Sequence, residues 1–93
     1  MEDADIFWDL PDDPDGNVWH IAEHDLTPEE VESVLRNTGN KTDKSRTSGR
    51  RATFGVTTTG RHIVVMWDPI LADPLTIYPV TAYEVPERRR RKR

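Results

Sequence analysis

The chain has 93 residues and no cysteine, and its hydrophobic (34%) and charged (32%) residues are almost equally frequent. This length allows one small domain, and the missing thiols exclude disulfides, thiolate zinc sites and cysteine nucleophiles. No apolar run approaches the roughly 20 residues that a membrane helix needs. The acidic start lacks the basic and then apolar order of a signal peptide, so we expect a cytoplasmic protein that does not bind membranes.

Charge is distributed unevenly along the chain. Residues 1–44 hold 13 of the 17 acidic residues but only 3 of the 13 basic ones, whereas residues 45–93 hold the other 4 acids and 10 bases. This asymmetry predicts an acidic or nucleic-acid partner for the second half, unless folding brings the two halves together and neutralises the contrast.

The first 27 residues predict a strand and a short helix. Alternating apolar residues indicate a strand over Asp5–Leu10, which a loop rich in Pro and Asp brings to an end. Asn17 is expected to cap a helix of about two turns that closes at Leu26. Trp19 is expected to lie exposed on this helix and could mark a partner surface.

A second helix is predicted to begin at Pro28. Thr27 is a typical N-cap, Pro is favoured in the first turn, and Glu30 completes a capping box with Thr27. Three apolar residues at helical spacing form the predicted buried stripe, namely Val31, Val34 and Leu35.

The second half predicts three strands. Asn37–Arg51 has no large apolar residue and is expected to be a mobile basic loop. Alternation over residues 52–57 and the apolar run His62–Trp67 indicate two strands joined by a turn at Thr59 and Gly60, the second of them central in the sheet. A loop over Asp68–Pro74 then leads to a strand over Leu75–Val85.

Pro79 interrupts that last strand, and the apolar phase shifts across it. Proline cannot donate to a ladder, so a bulge or an edge position is expected there.

The resulting fold class is α+β: a four-stranded, mostly antiparallel sheet with two helices packed on one face, in the order strand-helix-helix-strand-strand-strand. We expect the stripe of the second helix to pack on Val64 and Met66, and four aromatic residues to pack between sheet and helices, namely Trp8, Phe54, Trp67 and Tyr83. Residues 1–87 are expected to form the domain, and residues 88–93 a basic C-terminal tail.

His20 to His24 matches H-x-x-E-H, in which two His one helical turn apart bind zinc and Glu acts as base. A peptidase needs a third protein ligand and a substrate cleft, and the chain is too small for such an enzyme. We therefore favour an ordinary helix with partly exposed His residues, and no metal or other cofactor.

Basic residues form three sets: a loop set of Arg46, Arg50 and Arg51; Arg61 beside His62; and a tail set of Arg88, Arg89, Arg90, Arg91, Lys92 and Arg93. Such groups can contact a phosphate backbone, and RNA cleavage also requires a cation and a proton-transferring group. Arg61, His62 and His24 are the candidates for that chemistry. Solvated, solubilising charge is the alternative interpretation.

Three segments, "HIAEHDLTPEEVESVL" at 20–35, "SRTSGRRATFGVTTTGR" at 45–61 and "IYPVTAYEV" at 77–85, together with the opening "FWD", resemble BrnT-like proteins of the RelE-type ribonuclease toxin superfamily. The resemblance covers nearly the whole chain and rests on the order of these segments. It implies a sheet with two helices, pairing with a cognate antitoxin, and metal-independent cleavage of RNA. We expect either a homodimer or a hetero-oligomer with the antitoxin.

Two positions depart from that family pattern. Glu23 stands where the family carries Lys before the helix-ending His, and the last strand reads Thr81-Ala82-Tyr83 where a basic residue is expected. The resemblance therefore implies a catalytic set of His24, Arg61 and His62, with Tyr83 as a substitute proton donor. Arg50 is a further surviving candidate for a cation at the site. The alternative is a non-catalytic relative that binds a protein or a nucleic acid.

Overall fold

The computed structural model describes residues 3–37, 39–44 and 49–86. They form seven elements in chain order: β1 (Asp5–Ile6), α1 (Asn17–Ala22), α2 (Pro28–Leu35), β2 (Lys41–Lys44), β3 (Arg51–Val56), β4 (His62–Ala72) and β5 (Leu75–Glu84). The sheet order is β1-β5-β4-β3-β2, antiparallel throughout except that β1 runs parallel to β5. The predicted α+β class is confirmed, and the sheet has five strands rather than four.

The additional strand, β2, lies within the segment that was expected to be a loop. Lys41 pairs with Phe54 and Lys44 with Arg51, and all four residues of β2 are exposed. The hydroxyls of Thr42 and Thr53 lie 2.7 Å apart and join the strands further. An edge strand can be held by main-chain hydrogen bonds without apolar side chains, and a hydrophobicity pattern does not reveal it.

The expected loop over Asp68–Pro74 is also wrong, because β4 continues to Ala72 and the connection to β5 is the turn at Asp73 and Pro74. The bulge expected near Pro79 is confirmed. Met66 pairs with Thr81 whereas Trp67 pairs with Pro79, so β5 carries one extra residue opposite this step. That extra residue lets Ile77 and Ala82, five positions apart, both reach the core.

α1 begins and ends differently from the prediction. Gly16, not Asn17, is its N-cap, and Asn17 is a fully buried residue of the first turn. The helix ends at Ala22, before the predicted closure, and the buried Leu26 donates its N–H to the Ile21 carbonyl at 3.0 Å. β1 is likewise shorter than predicted, and Phe7 still donates its N–H to Ile77 at 2.9 Å.

α2 begins as predicted. The Glu30 N–H donates to Thr27 Oγ1 at 3.2 Å, and the Thr27 N–H donates to Glu30 Oε1 at 3.1 Å, which completes the capping box. Since both bonds lie within four consecutive residues, local sequence is enough to specify this helix start.

Both helices pack on one face of the sheet, and the core lies between the helices and this face. It consists of Ile21, Leu26, Val31, Val34, Leu35, Ile63, Val65, Trp67, Ile77 and Ala82. The predicted contact of α2 with Val64 and Met66 is wrong by one residue, because neighbouring strand residues point to opposite faces and the helices cover Ile63 and Val65. β4 is apolar on both faces, so its sequence does not say which face the helices cover.

The aromatic residues that were expected to pack between sheet and helices differ in their burial. Trp67 is buried, and Trp8 is half-buried against the core as expected. Tyr83 was expected inside and is 39% exposed. No helix in the described part of the chain is long and apolar enough to cross a membrane.

Candidate functional site

Three of the four predicted catalytic residues meet where α1 turns into α2, here called the α1–α2 corner. The centroids of the His24 and Tyr83 rings lie 5.9 Å apart, with the ring planes inclined at 54°. Arg61 Nη2 donates to the His24 carbonyl at 3.1 Å, and Nη1 donates to the Asp25 carbonyl. The corner thus combines the α1 end, the β3–β4 turn and the end of β5.

Two tight turns position these groups. Asp25 adopts a left-handed conformation (φ 61°), and buried Leu26 anchors the chain directly after it. In the β3–β4 turn Gly60 has φ 89°, and Thr57 donates its N–H to the Arg61 carbonyl at 2.8 Å while its hydroxyl accepts from the Arg61 N–H at 3.1 Å. These two bonds fix the backbone of Arg61. Its guanidinium in turn bonds the turn that carries His24.

The charge of Arg61 is balanced by two carboxylates. Its Nη atoms lie 3.9 Å from Glu30 Oε1 and 3.4 Å from Glu84 Oε1, and the Arg61 side chain is only 26% exposed. With two carbonyls and two carboxylates around it, the guanidinium holds the corner together. A phosphate would have to compete with Glu84, the more exposed of the two carboxylates (57%).

The hydrogen bonds around Glu30 keep it ionised. The Thr59 hydroxyl donates to Glu30 Oε2 at 2.8 Å and lowers the pKa of this carboxyl below its ordinary value. Burial opposes the shift, whereas the Thr27 N–H and the Arg61 charge add to it. The lowered pKa favours the ionised form of Glu30 as the partner of Arg61 in this ion pair.

The rings of His24 and Tyr83 are open to a ligand. Both side chains are exposed, and an imidazole and a phenol can accept and donate protons without a metal. Their proximity gives the corner the parts of an acid–base pair.

His62 has a different setting. It lines a cavity of about 170 Å³ together with Phe54, Gly55, Val56, Ile63, Val85 and Pro86. Its carbonyl accepts from the Val85 N–H at 2.8 Å. Its side chain joins none of the hydrogen bonds, ion pairs or ring contacts within residues 3–37, 39–44 and 49–86. The structure therefore does not connect His62 to Arg61 in the way that their adjacency suggested.

The predicted nucleic-acid-binding arginines are only partly described. Arg50 forms a bidentate pair with Asp68, at 3.1 Å for Nε–Oδ1 and 3.2 Å for Nη2–Oδ2. The Arg51 guanidinium lies 5.7 Å from the Trp67 ring centroid, and Nη1 donates to the Gly49 carbonyl at 3.1 Å. Both arginines thus have partners within the chain. Arg46, Arg88, Arg89, Arg90 and Arg91 lie outside the described residues.

The H-x-x-E-H pattern does not form a zinc-binding helix face. α1 ends at Ala22 and Glu23 is its C-cap, so His24 lies beyond the helix that would present it beside His20. Across the described ranges, no group of three His, Asp or Glu side chains is arranged to hold a metal ion.

Sequence reasoning missed the carboxylates that surround Arg61. Glu30 was identified only as a capping residue, and Glu84 lies 23 residues from Arg61 along the chain. The capping box was the local signal for Glu30, and no local signal connects Glu84 to Arg61.

No protein-family model matches this sequence, and the comparisons with curated proteins and with solved structures find no significant match. The resemblance to BrnT-like proteins rests on the sequence segments quoted above.

Proposed function

We propose that this protein is a toxin-like, RNA-directed domain of a bacterial toxin–antitoxin pair, acting in the cytoplasm without metal or cofactor. One observation carries the proposal: His24, Arg61 and Tyr83, chosen from sequence on grounds of chemistry and resemblance, come from distant parts of the chain to one corner. RNA and a cognate antitoxin are the partners that this function requires.

Metal-independent RNA cleavage needs a base and an acid. The base removes the proton of a ribose 2′-hydroxyl, whose oxygen attacks the adjacent phosphorus, and the acid protonates the departing 5′-oxygen. The products are a 2′,3′-cyclic phosphate and a 5′-hydroxyl. We assign the base to His24 and the acid to Tyr83, while Arg61 acts as a positioning residue because it holds the turn that carries His24.

A second candidate function is a non-catalytic relative that binds a protein or a nucleic acid. The observation that favours it is the balanced charge of Arg61, which Glu30 and Glu84 already neutralise. Charge develops on the phosphate during cleavage, and a guanidinium shared with two carboxylates stabilises it poorly.

Two assays decide between these functions. The protein is expressed from an inducible promoter in bacteria while growth is followed, and the purified protein is incubated with total RNA in EDTA. We expect cleavage that His24→Ala and Tyr83→Phe each lower by about a hundredfold or more. His20→Ala is the matched control, since His20 lies on α1 and takes no part in the His24–Tyr83 ring contact, and it should cleave like wild type.

Three outcomes count against the first function. If the wild-type protein binds RNA or an antitoxin but does not cleave RNA, the non-catalytic function is supported. Cleavage that EDTA abolishes contradicts a metal-independent mechanism. Cleavage that the His24 and Tyr83 variants retain removes the assigned roles.

A further inference from the structure

A groove on the outer side of α1 is lined by none of the three residues that meet in the α1–α2 corner. It is a cavity of about 400 Å³ lined by Pro11, Val18, Trp19, Ala22 and Glu23. We call it the α1 groove. Its floor comes from one side of α1, while the loop before the helix supplies Pro11.

The groove exposes apolar surface that the core does not use. α1 directs Ile21 inward, where it is fully buried, whereas Trp19 on the outer side is 43% exposed. Leu10, next to Pro11 in the chain, is 72% exposed. A concave site with a large exposed indole is typical of a protein-interaction surface, since Trp is the residue most often found at the energetic centre of an interface.

The rim of the groove is acidic. Glu23 lines the cavity, and Asp12 follows the lining residue Pro11 directly in the chain; both acidic residues are exposed. None of the ion pairs within the described ranges involves them. Such a rim repels phosphate groups and attracts cations, so the groove favours a basic ligand over RNA.

We propose that the α1 groove is the docking site for a basic amphipathic segment of another polypeptide. Apolar side chains of that segment would pack on Trp19 and Val18, and its Lys or Arg residues would lie opposite Glu23 and Asp12. The site is independent of the proposed RNA-directed function, because it uses none of the three residues of the α1–α2 corner.

Neither the basic C-terminal run nor the β4–β5 hairpin of a second copy combines the apolar and basic groups that the groove requires. Residues 88–93 are all basic and include no apolar side chain. The β4–β5 hairpin exposes Ile70, Leu71 and Leu75, but Pro69–Leu75 contains no Lys or Arg. The combination of apolar and basic groups therefore points to a different polypeptide.

Titration calorimetry with synthetic peptides tests this docking site. The probe is a helical amphipathic peptide of Leu and Lys, compared with the same peptide carrying Glu for Lys or Ser for Leu. We expect only the Leu–Lys peptide to bind, with an affinity that falls as salt rises. Trp19→Ala should weaken binding by at least about tenfold. Glu23→Gln should weaken it less and reduce its salt dependence.

Leu71→Ala is the matched control, because it removes an exposed apolar side chain outside the groove and should leave binding unchanged. Thermal unfolding followed by circular dichroism verifies that each variant is folded, and Glu23→Gln tests the site even where Trp19→Ala is unstable. Failure of wild-type protein to bind, equal binding of the Leu–Glu peptide, or equal losses from Trp19→Ala and Leu71→Ala would each overturn the proposal.

Analytical sedimentation of the protein without peptide tests whether a second copy of this chain occupies the groove. Self-association that Trp19→Ala abolishes would make a second copy the occupant and would also overturn the proposal. The growth and cleavage assays of the proposed function use different residues, so either proposal can fail without the other.

Discussion

Asp9 and Asn17 hydrogen-bond each other's backbone. The Asp9 N–H donates to Asn17 Oδ1 at 2.8 Å, and the Asn17 N–H donates to Asp9 Oδ2 at 3.0 Å. Asn17 Nδ2 also donates to the Phe7 carbonyl at 2.9 Å. This exchange ties the loop after β1 to the first turn of α1, where the Gly16 N-cap has no side chain to bond the free N–H groups.

Asn17→Asp should therefore destabilise the fold strongly. The substitution removes the donor to Phe7 and places a second carboxylate beside Asp9, at a site where Asn17 is fully buried. We expect a loss of about 3 kcal/mol in the free energy of unfolding, measured by urea denaturation. Asp12→Asn, on the exposed part of the same loop, should change it by less than about 0.5 kcal/mol. Equal stability of Asn17→Asp and wild type would refute the structural role of this exchange.

Glu84→Gln should strengthen RNA binding. The change removes one of the two carboxylates beside Arg61, and Glu84 is exposed enough (57%) that the fold should tolerate it. Since a single exposed ion pair amounts to about 0.2–1 kcal/mol, we expect an affinity up to about fivefold higher at low salt, measured by fluorescence anisotropy. Asp43→Asn makes the same change of net charge on β2. If both variants strengthen binding equally, the gain comes from net charge alone and not from the place of Glu84 in the α1–α2 corner.

Tyr78 should ionise at unusually high pH. Burial, together with the hydrogen bond that its hydroxyl donates to Asp9 Oδ2, raises the pKa of Tyr78 to about 12. In a Tyr83→Phe background Tyr78 is the sole tyrosine, so the tyrosinate absorbance reports it alone. A midpoint near the ordinary pKa of 10 in the folded protein would contradict this.

The raised pKa of Tyr78 has a defined consequence for stability. The folded state favours the neutral phenol, so this contribution is fully present below pH 10, the pKa of an unperturbed tyrosine, and is lost as the pH rises towards 12. Tyr78→Phe should lack this particular loss between pH 10 and 12 in urea denaturation. An identical alkaline loss in both proteins would assign it to other groups.

Gly55→Ala should destabilise the contact between α2 and β3. A Cβ at this position would lie 2.9 Å from Val34 Cγ1 and would also meet the Asn40 amide, which donates to the Val34 carbonyl. We expect a loss of about 1–3 kcal/mol, from denaturant titration. Thr58→Ala in the exposed β3–β4 turn serves as control and should have little effect. An unchanged Gly55→Ala midpoint would mean that α2 moves aside freely.

Local chemistry explains what the sequence predicted well. The capping box of Thr27 and Glu30 lies within four residues, so it specifies the start of α2 without tertiary help. Pro79 cannot donate an N–H, and together with the phase shift that follows it this was enough to predict the bulge in β5. The α+β class follows from the succession of such local signals.

The signals for the site were chemical rather than spatial. His24, Arg61 and Tyr83 were identified by the reactions that their side chains can support and by the resemblance to a toxin family. Their meeting in the α1–α2 corner, and the separate setting of His62 beside its own cavity, depended on how the strands and turns are placed.

Sequence by itself determined local features of this protein: the start of α2 that its side chains signal, the apolar strands and the uneven charge. Tertiary structure alone decided that polar β2 is a strand, that the helices cover Ile63 and Val65 rather than Val64 and Met66, and that Glu84 lies against Arg61. The physical reason is that these features depend on partners distant in the chain. Main-chain pairing does not require an apolar pattern, a strand apolar on both faces does not specify which face is covered, and an ion pair forms only where the fold brings its charges together.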